Sequence, residues 1–257
     1  MVAPNEKQVR RIAMWSGPRN ISTAMMRAWG NRADTMVIDE PFYAFYLEAT
    51  GKNHPGAAEV IAKGETNWRK IVARLTSDEV PQTKSSGSKN SSQIFYQKQM
   101  THHLLSEVAR EWLPGITNCF LIRDPAEVIA SYTRKNDDPA LEDLGFVQQG
   151  EIFDWVRPRT GAIPPVLDAR DVLQDPEGML RLLCRAVEVE FDPAMLAWPP
   201  GLRETDGVWA RHWYGEVARS SSFQPYEPKP VSLPEHLGET YERCLEVYQR
   251  LYRHRLQ

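Results

Sequence analysis

The stretch that decides the fold is IAMWSGPRNISTAMMRAWG, residues 12–30. Its first half is a hydrophobic run closed by Ser16-Gly17-Pro18-Arg19. A polar cluster follows, and then apolar residues recur at Ala24, Met25, Ala28 and Trp29, the spacing of one helix face. Strand, tight loop and helix in immediate succession make a cradle for an anion. Gly17 lets the backbone turn, the following amides converge, and the helix N-terminus adds favourable potential. Arg19 brings a planar fork of donors, and Ser22 and Thr23 bring hydroxyls. The candidate binding residues of the loop are Gly17, Pro18, Arg19, Asn20, Ile21, Ser22 and Thr23. An ordinary strand–turn–helix with a surface arginine is the plainer alternative for this stretch alone. The loop lacks a Gly-Lys-Ser/Thr ending, whose lysine reaches terminal phosphates and whose hydroxyl holds Mg²⁺. That absence disfavours metal-dependent nucleoside triphosphate hydrolysis.

Outward from this stretch, strand and helix patterns alternate. VRRIAMWSG ends a first strand at Gly17, and TMVIDEPF, QIFYQKQM, GITNCFLIRDP and Val166–Asp168 supply four more. Helices are predicted from an Asn20 or Ser22 cap to about Asn31, and in HPGAAEVIAKG and NWRKIVARLTS. Others follow in THHLLSEVAREW with Thr101 as cap, PAEVIASYTRKN, and DPEGMLRLLCRAVEVEF with Asp175 as cap. VWARHWYGEVARSSSF reads as a helix leading into a loop, and Glu235–Leu256 as a last amphipathic helix. The alternation predicts an α/β fold: a parallel sheet with helices on both faces, in three layers. KSSGSKNSS, residues 84–92, reads as a loop able to act as a lid, and residues 1–7 as a frayed tail.

Composition narrows the function classes. The 257 residues suit one domain, 42% of them are hydrophobic, and the formal net charge is −3. No global basic field exists, so nucleic acid is not an expected partner and an anion site must be built locally. Cys119, Cys184 and Cys244 are odd in number and far apart, which reads as reduced, buried thiols. MVAPNEKQVRR carries no apolar signal-type run, and no apolar run approaches membrane length. The expectation is a cytoplasmic protein without a membrane anchor.

FLIRDPAEVIASYTRK places Arg123 at the end of a buried strand, with Ser131 eight residues on, about two helical turns. Ligands of open α/β sheets gather at strand C-terminal ends, where both Arg123 and the 16–23 loop would lie. SGPRNIST followed by RDPAEVIASY resembles the sulfotransferase family that uses 3′-phosphoadenosine-5′-phosphosulfate (PAPS). The first motif is similar to that family's 5′-phosphosulfate loop, and the second to its 3′-phosphate motif. The resemblance covers roughly residues 8–200, leaving 201–257 as a C-terminal loop and helix of the same single domain. DGVWARHWY is a weak echo of a cofactor loop near the C-terminus of such enzymes. The resemblance implies PAPS as co-substrate, no metal, and Arg123 and Ser131 as the 3′-phosphate ligands. Ile21 stands where the family usually has Gly, and a β-branched residue resists positive φ.

Sulfuryl transfer needs a base for the acceptor proton. Glu40, at a strand end before Pro41, is one candidate, similar in position to a glutamate of some bacterial and heparan-type members. His102 and His103 after the third strand are the others, with Lys98 near the bridging oxygen by the same resemblance. Adjacent histidines at a helix start point to different faces, so at most one of them is expected to face the cleft. Asp39 is expected on the opposite side of its strand from Glu40. Arg134 and Lys135 read as solvated helix-end charges, Asp137-Asp138 as no metal site, and the aromatics at 209–214 as core in preference to a cofactor stack. The acceptor is expected to be a small alcohol, phenol or amine. FYAFY at 42–46 would offer it aromatic surface, and Trp155, Arg157 and Arg159 mixed surface. The last helix has a face for the core or for a second copy, as in a homodimer. A phosphate-loop kinase of small molecules and a non-catalytic nucleotide-binding relative are the alternative readings.

Overall fold

The computed structural model describes residues 9–78, 93–134, 138–228 and 230–257. The expected tail at 1–7, the loop at 84–92, Lys135 and Asp137 lie outside the described residues. Five strands run parallel: β1 (Arg10–Ser16), β2 (Thr35–Asp39), β3 (Ile94–Met100), β4 (Thr117–Ile122) and β5 (Val166–Asp168). Their order is β2-β3-β1-β4-β5, with β1 flanked by β3 and β4. The chain therefore reverses its direction of sheet growth beside β1, and the carboxyl ends there are the switch point at which sheets of this kind form a ligand crevice.

The strand period of two sorts β1 between two cores. Ile12 and Met14 pack with Met25 and Trp29 of α1 (Ser22–Gly30) on one face. Ala13 and Trp15 pack on the other face with α4 (Trp68–Thr76), α7 (Phe146–Thr160) and α11 (Gly238–Tyr252). The result is the expected three-layer α/β sheet. Between these elements lie α2 (Tyr43–Thr50) and α3 (Ala57–Lys63), then α5 (Pro125–Tyr132) and α6 (Leu141–Leu144). After β5 come α8 (Ala169–Gln174), α9 (Pro176–Ala186) and α10 (Ala210–Trp213). Asn67, Asp124, Asp168 and Asp175 cap their helices through side-chain oxygens. Asn20 instead turns its carbonyl to the Ile21 amide, and α1 starts without a side-chain cap.

Three local expectations change. The helix expected over THHLLSEVAREW is a single 3₁₀ turn, Thr101–His103. Thr101 does not cap it: its hydroxyl donates to Gly145 O at 2.7 Å. The stretch 209–219 forms only the four residues of α10 and a 3₁₀ turn at Val217–Arg219. FYAFY is buried, Phe42 to Tyr46 all below 6% exposure, so it builds core and not open surface.

Candidate active site

The β1–α1 loop is fixed from both sides. Gly17 lies so close to α6 that a Cβ there would meet Leu144 O at 2.7 Å. Gly145, at φ +72, fills the matching place below, where a Cβ would strike Thr101 Oγ1 at 2.5 Å. Gln149 of α7 donates from Nε2 to Trp15 O and Leu121 O, each at 3.1 Å, stitching α7 to the ends of β1 and β4. Within the loop the left-handed residue is Arg19, at φ 55, not Ile21, whose φ is −87. Ile21 is thus unstrained and packs its side chain on the core beneath α1. Ser22 is buried at the helix start, with Pro18 and Thr23 half-buried beside it.

The two sequence motifs meet here. Arg19 Nε donates to Ser131 Oγ at 2.9 Å, and an Arg123 Nη donates to Arg19 O at 2.8 Å. Arg123 Nε also pairs with Glu127 at 2.9 Å, and the Tyr226 hydroxyl holds the other oxygen of Glu127 at 2.8 Å. Asn20 Nδ2 donates to Leu121 O at 2.9 Å. Arg19 itself has no salt bridge among the described residues. Partial burial lowers its pKa, Glu216 opposes this, and Arg134 and Arg123 lower it further. An anion placed among these arginines would relieve both the burial and the repulsion. Arg134, exposed just beyond the end of α5 as a solvated helix-end charge, adds to the positive field at this end.

Across the crevice lies a buried polar cluster. Lys98, 1% exposed, donates to Asp39 Oδ1 at 3.0 Å and to the Tyr214 hydroxyl at 2.9 Å, and it contacts Glu40 Oε1. The expectation that Asp39 and Glu40 face opposite ways fails. Glu40 has φ 39, which breaks the strand alternation and turns both carboxyls toward Lys98. Burial raises the pKa of Glu40, Lys98 opposes this, and Asp39 adds to it, leaving it above the ordinary carboxylate value. Burial alone would lower Lys98, but Asp39 and Glu40 outweigh it and hold the ammonium charged. Burial, then Asp39 and Glu40, push the Tyr214 hydroxyl well up.

His102 and His103 do not divide between two faces, because a 3₁₀ turn replaces the helix. Both are buried, with ring centroids 4.3 Å apart. His103 stacks between Tyr43 and Tyr46, each at 4.7 Å, and its Nδ1 faces Glu40 Oε2 at 4.0 Å. Neither histidine Nδ1 has a hydrogen-bond partner among the described residues. Burial pushes His102 down to about 3, and burial together with His102 pushes His103 well down, so both rings are neutral. Trp155, Arg157 and Arg159 sit far from this crevice. They lie toward the C-terminal end of α7, which runs back against the strands for about 22 Å. A surface depression lined by Arg157, Pro158 and Ile163 is found there instead.

Sequence reasoning missed Tyr214 as a site residue. Its hydroxyl donates to Asp39 at 2.7–2.8 Å and receives Trp209 Nε1 at 3.3 Å. The Gly207 amide donates to Asp39 Oδ2 at 3.2 Å. Arg27 of α1 holds this segment down through a bidentate pair with Asp206, at 2.5 and 2.7 Å. Among the described residues no cluster of three or more His, Cys, Asp or Glu is arranged to hold a metal ion. No helix among them is long and apolar enough to cross a membrane.

The five-strand parallel sheet with helices on both faces defines a three-layer α/β fold, with the strand–loop–helix turn, arginines and carboxylates at the carboxyl ends of its strands. Residues 10–240 match the family model described as a sulfotransferase domain, and the chain belongs to that family. The match runs past the 8–200 core into the segment carrying Asp206 and Tyr214. Two relatives from Arabidopsis thaliana match 95% of the chain. Branched-chain-amino-acid aminotransferase-like protein 1 is 34% identical, and branched-chain-amino-acid aminotransferase-like protein 2 is 30% identical. The chain spans only 42% and 41% of their lengths, so those names describe proteins more than twice as long. Among solved structures, the sulfotransferase domain from the curacin biosynthetic pathway shares the fold at TM-score 0.52 and 15% identity, covering 96% of this chain and 98% of its own. The sulfotransferase domain of the Synechococcus PCC 7002 olefin synthase does so at TM-score 0.52 and 16% identity, over 96% and 97%.

Proposed function

We propose that this chain transfers a sulfuryl group from PAPS to a hydroxyl or amine of a small-molecule acceptor. The observation that carries the reading is the convergence of Arg19, Arg123 and Ser131 on one edge of the sheet, with Glu40 and Lys98 on the same edge. The amides of residues 17–23 with Arg19, Ser22 and Thr23 would receive the phosphosulfate, and Arg123 and Ser131 the 3′-phosphate. The donor supplies an activated sulfuryl group on a phosphate leaving group. The S–O bond to that phosphate breaks as the acceptor's bond to sulfur forms, and Glu40 takes the acceptor proton. Arg19 neutralises the charge gathering on the leaving phosphate. The neutral histidines, stacked on Tyr43 and Tyr46, wall the acceptor side. Lys98 is ill-suited to imine formation, which needs a free amine, because two carboxylates hold it protonated.

The test compares thermal stabilisation by adenosine 3′,5′-bisphosphate with that by ATP and Mg²⁺. The bisphosphate at 100 times its Kd should add about 2.7 kcal/mol. Stabilisation by ATP and Mg²⁺ alone would favour a kinase instead. Binding without release of labelled sulfate from PAPS across an acceptor panel would favour a non-catalytic relative.

A further inference from the structure

The buried cluster sets two carboxyls against one ammonium, and the donors are shared unevenly. Asp39 receives Lys98 at 3.0 Å, the Tyr214 hydroxyl at 2.7–2.8 Å and the Gly207 amide at 3.2 Å. Glu40 receives Lys98 on Oε1, and Tyr214 stands 3.4 Å from that same oxygen. A phenol has one proton, and the shorter distances direct it to Asp39. Glu40 Oε2 has no hydrogen bond among the described residues. The Glu40 side chain is 12% exposed, against 1% for Asp39.

We propose that Asp39 and Tyr214 are positioning residues that divide the work of the two carboxyls. Tyr214, bonded to Asp39, keeps that group as the permanent counter-charge of Lys98, and Glu40 is left to carry the exchangeable proton on Oε2. The assignment of Glu40 as the base in sulfuryl transfer rests on the function proposed above. The groups facing Glu40 are Asp39 from β2, Lys98 from β3, Tyr43 from α2, His103 from the turn after β3, and Tyr214 after α10. With His103 and both phenols neutral, the cluster carries one net negative charge. When the acceptor oxygen attacks sulfur, its proton moves to Glu40 Oε2 and the cluster becomes neutral. After product leaves, the proton passes to solvent and Lys98 has kept its charge throughout. Burial and the Asp39 charge favour proton uptake by Glu40, which agrees with this order.

The experiment is an infrared titration of the whole protein, subtracting Glu40→Gln and using residue-selective carbon-13 labelling. In the wild type the protonated-carboxyl band should shift with labelled Glu and not with labelled Asp. In Tyr214→Phe it should become sensitive to labelled Asp, because the proton is no longer kept off Asp39. In Asp39→Asn the Glu40 titration should move to lower pH, since one carboxylate then faces one ammonium. A wild-type band that follows labelled Asp, or a Tyr214→Phe band unchanged in label sensitivity, overturns the assignment. Where Tyr214→Phe or Asp39→Asn does not fold, the wild-type band, isolated against Glu40→Gln, still decides. In turnover, Tyr214→Phe should lower kcat about tenfold with KM within about twofold. The infrared readout needs no donor, so absence of sulfuryl transfer would sink the proposed reaction and leave the proton assignment standing.

Discussion

The arginine end of the crevice and the carboxylate end share one edge of the sheet, yet they are built by different rules. The arginine end is local. Arg19 follows its strand directly, and Arg123 and Ser131 sit on one strand–helix unit. Its groups are half-buried and carry surplus positive charge. The carboxylate end is assembled from β2, β3 and the distant segment 206–214, and it is almost dry. Charges near water can wait for a ligand, whereas charges out of water must be paired at once. That is why Lys98 is enclosed by Asp39, Glu40 and Tyr214, while Arg19 has only a serine and the fields of its neighbours. The Arg27–Asp206 pair joins the two ends, because α1 grows out of the arginine loop and Asp206 leads to Gly207 and Tyr214.

The comparison can be broken at several places. The largest effect should come from Glu40→Gln, which removes the proposed base: kcat should fall about 10²–10⁴-fold with donor affinity little changed. Steady-state kinetics with PAPS and calorimetry with the bisphosphate check the two halves. Next is Asp206→Ala, which leaves Arg27 charged and 1% exposed. Urea unfolding should show a loss of about 3–5 kcal/mol, and a loss near zero would mean that the join carries no weight. Arg19→Ala should cost about 3 kcal/mol of transition-state stabilisation, and activity unchanged within twofold would remove its role. Arg19→Gly should be as inactive yet more stable than Arg19→Ala, because glycine accepts the left-handed φ freely.

A smaller effect sharpens the contrast in burial. His102 is held neutral, its pKa down at about 3 against the ordinary 6.5. Between those values the unfolded chain binds more protons than the folded one, so stability falls as pH falls through that window. The slope is about 1.4 kcal/mol per pH unit for each such histidine. Glu40 acts in the opposite sense: its raised pKa means that the folded state holds its proton longer, and stability falls as pH rises above the unfolded value of 4.5. Unfolding free energies across pH in His102→Asn should lose the His102 share of the acid-side slope, about 1.4 kcal/mol per pH unit, and keep the His103 and Glu40 contributions. Ser131→Ala, the smallest change, should weaken bisphosphate binding by about 1 kcal/mol, the scale of one hydrogen bond.

The arginine end was readable because a strand–loop–helix unit is written in consecutive residues. Gly17, Arg19, Arg123 and Ser131 stand at spacings that the backbone converts directly into position. Even there the sequence did not single out Arg19 as the left-handed residue, since loop dihedrals depend on what packs above and below. Leu144 and Gly145 do that packing, from far along the chain. At the carboxylate end Glu40 was legible from its place at a strand end before Pro41, and Lys98 only through the resemblance to the family. Asp39 was set on the wrong side because alternation was assumed to continue through a residue with positive φ. Tyr214 read as core, and it is buried as core is, but its hydroxyl meets Lys98 and Asp39, partners more than 100 residues earlier.

The sequence by itself determined the parallel α/β sheet, its five strands and the tight strand–loop–helix turn at the end of β1. Periodicity and short-range spacing act within one element or its neighbour, and those signals are complete in the chain. Tertiary structure alone decided which carboxyl meets Lys98, that His102 and His103 share one aromatic cluster, and that Tyr214 closes the site. Those outcomes depend on how burial penalties are balanced among groups from separate elements, and no single stretch of sequence carries that balance.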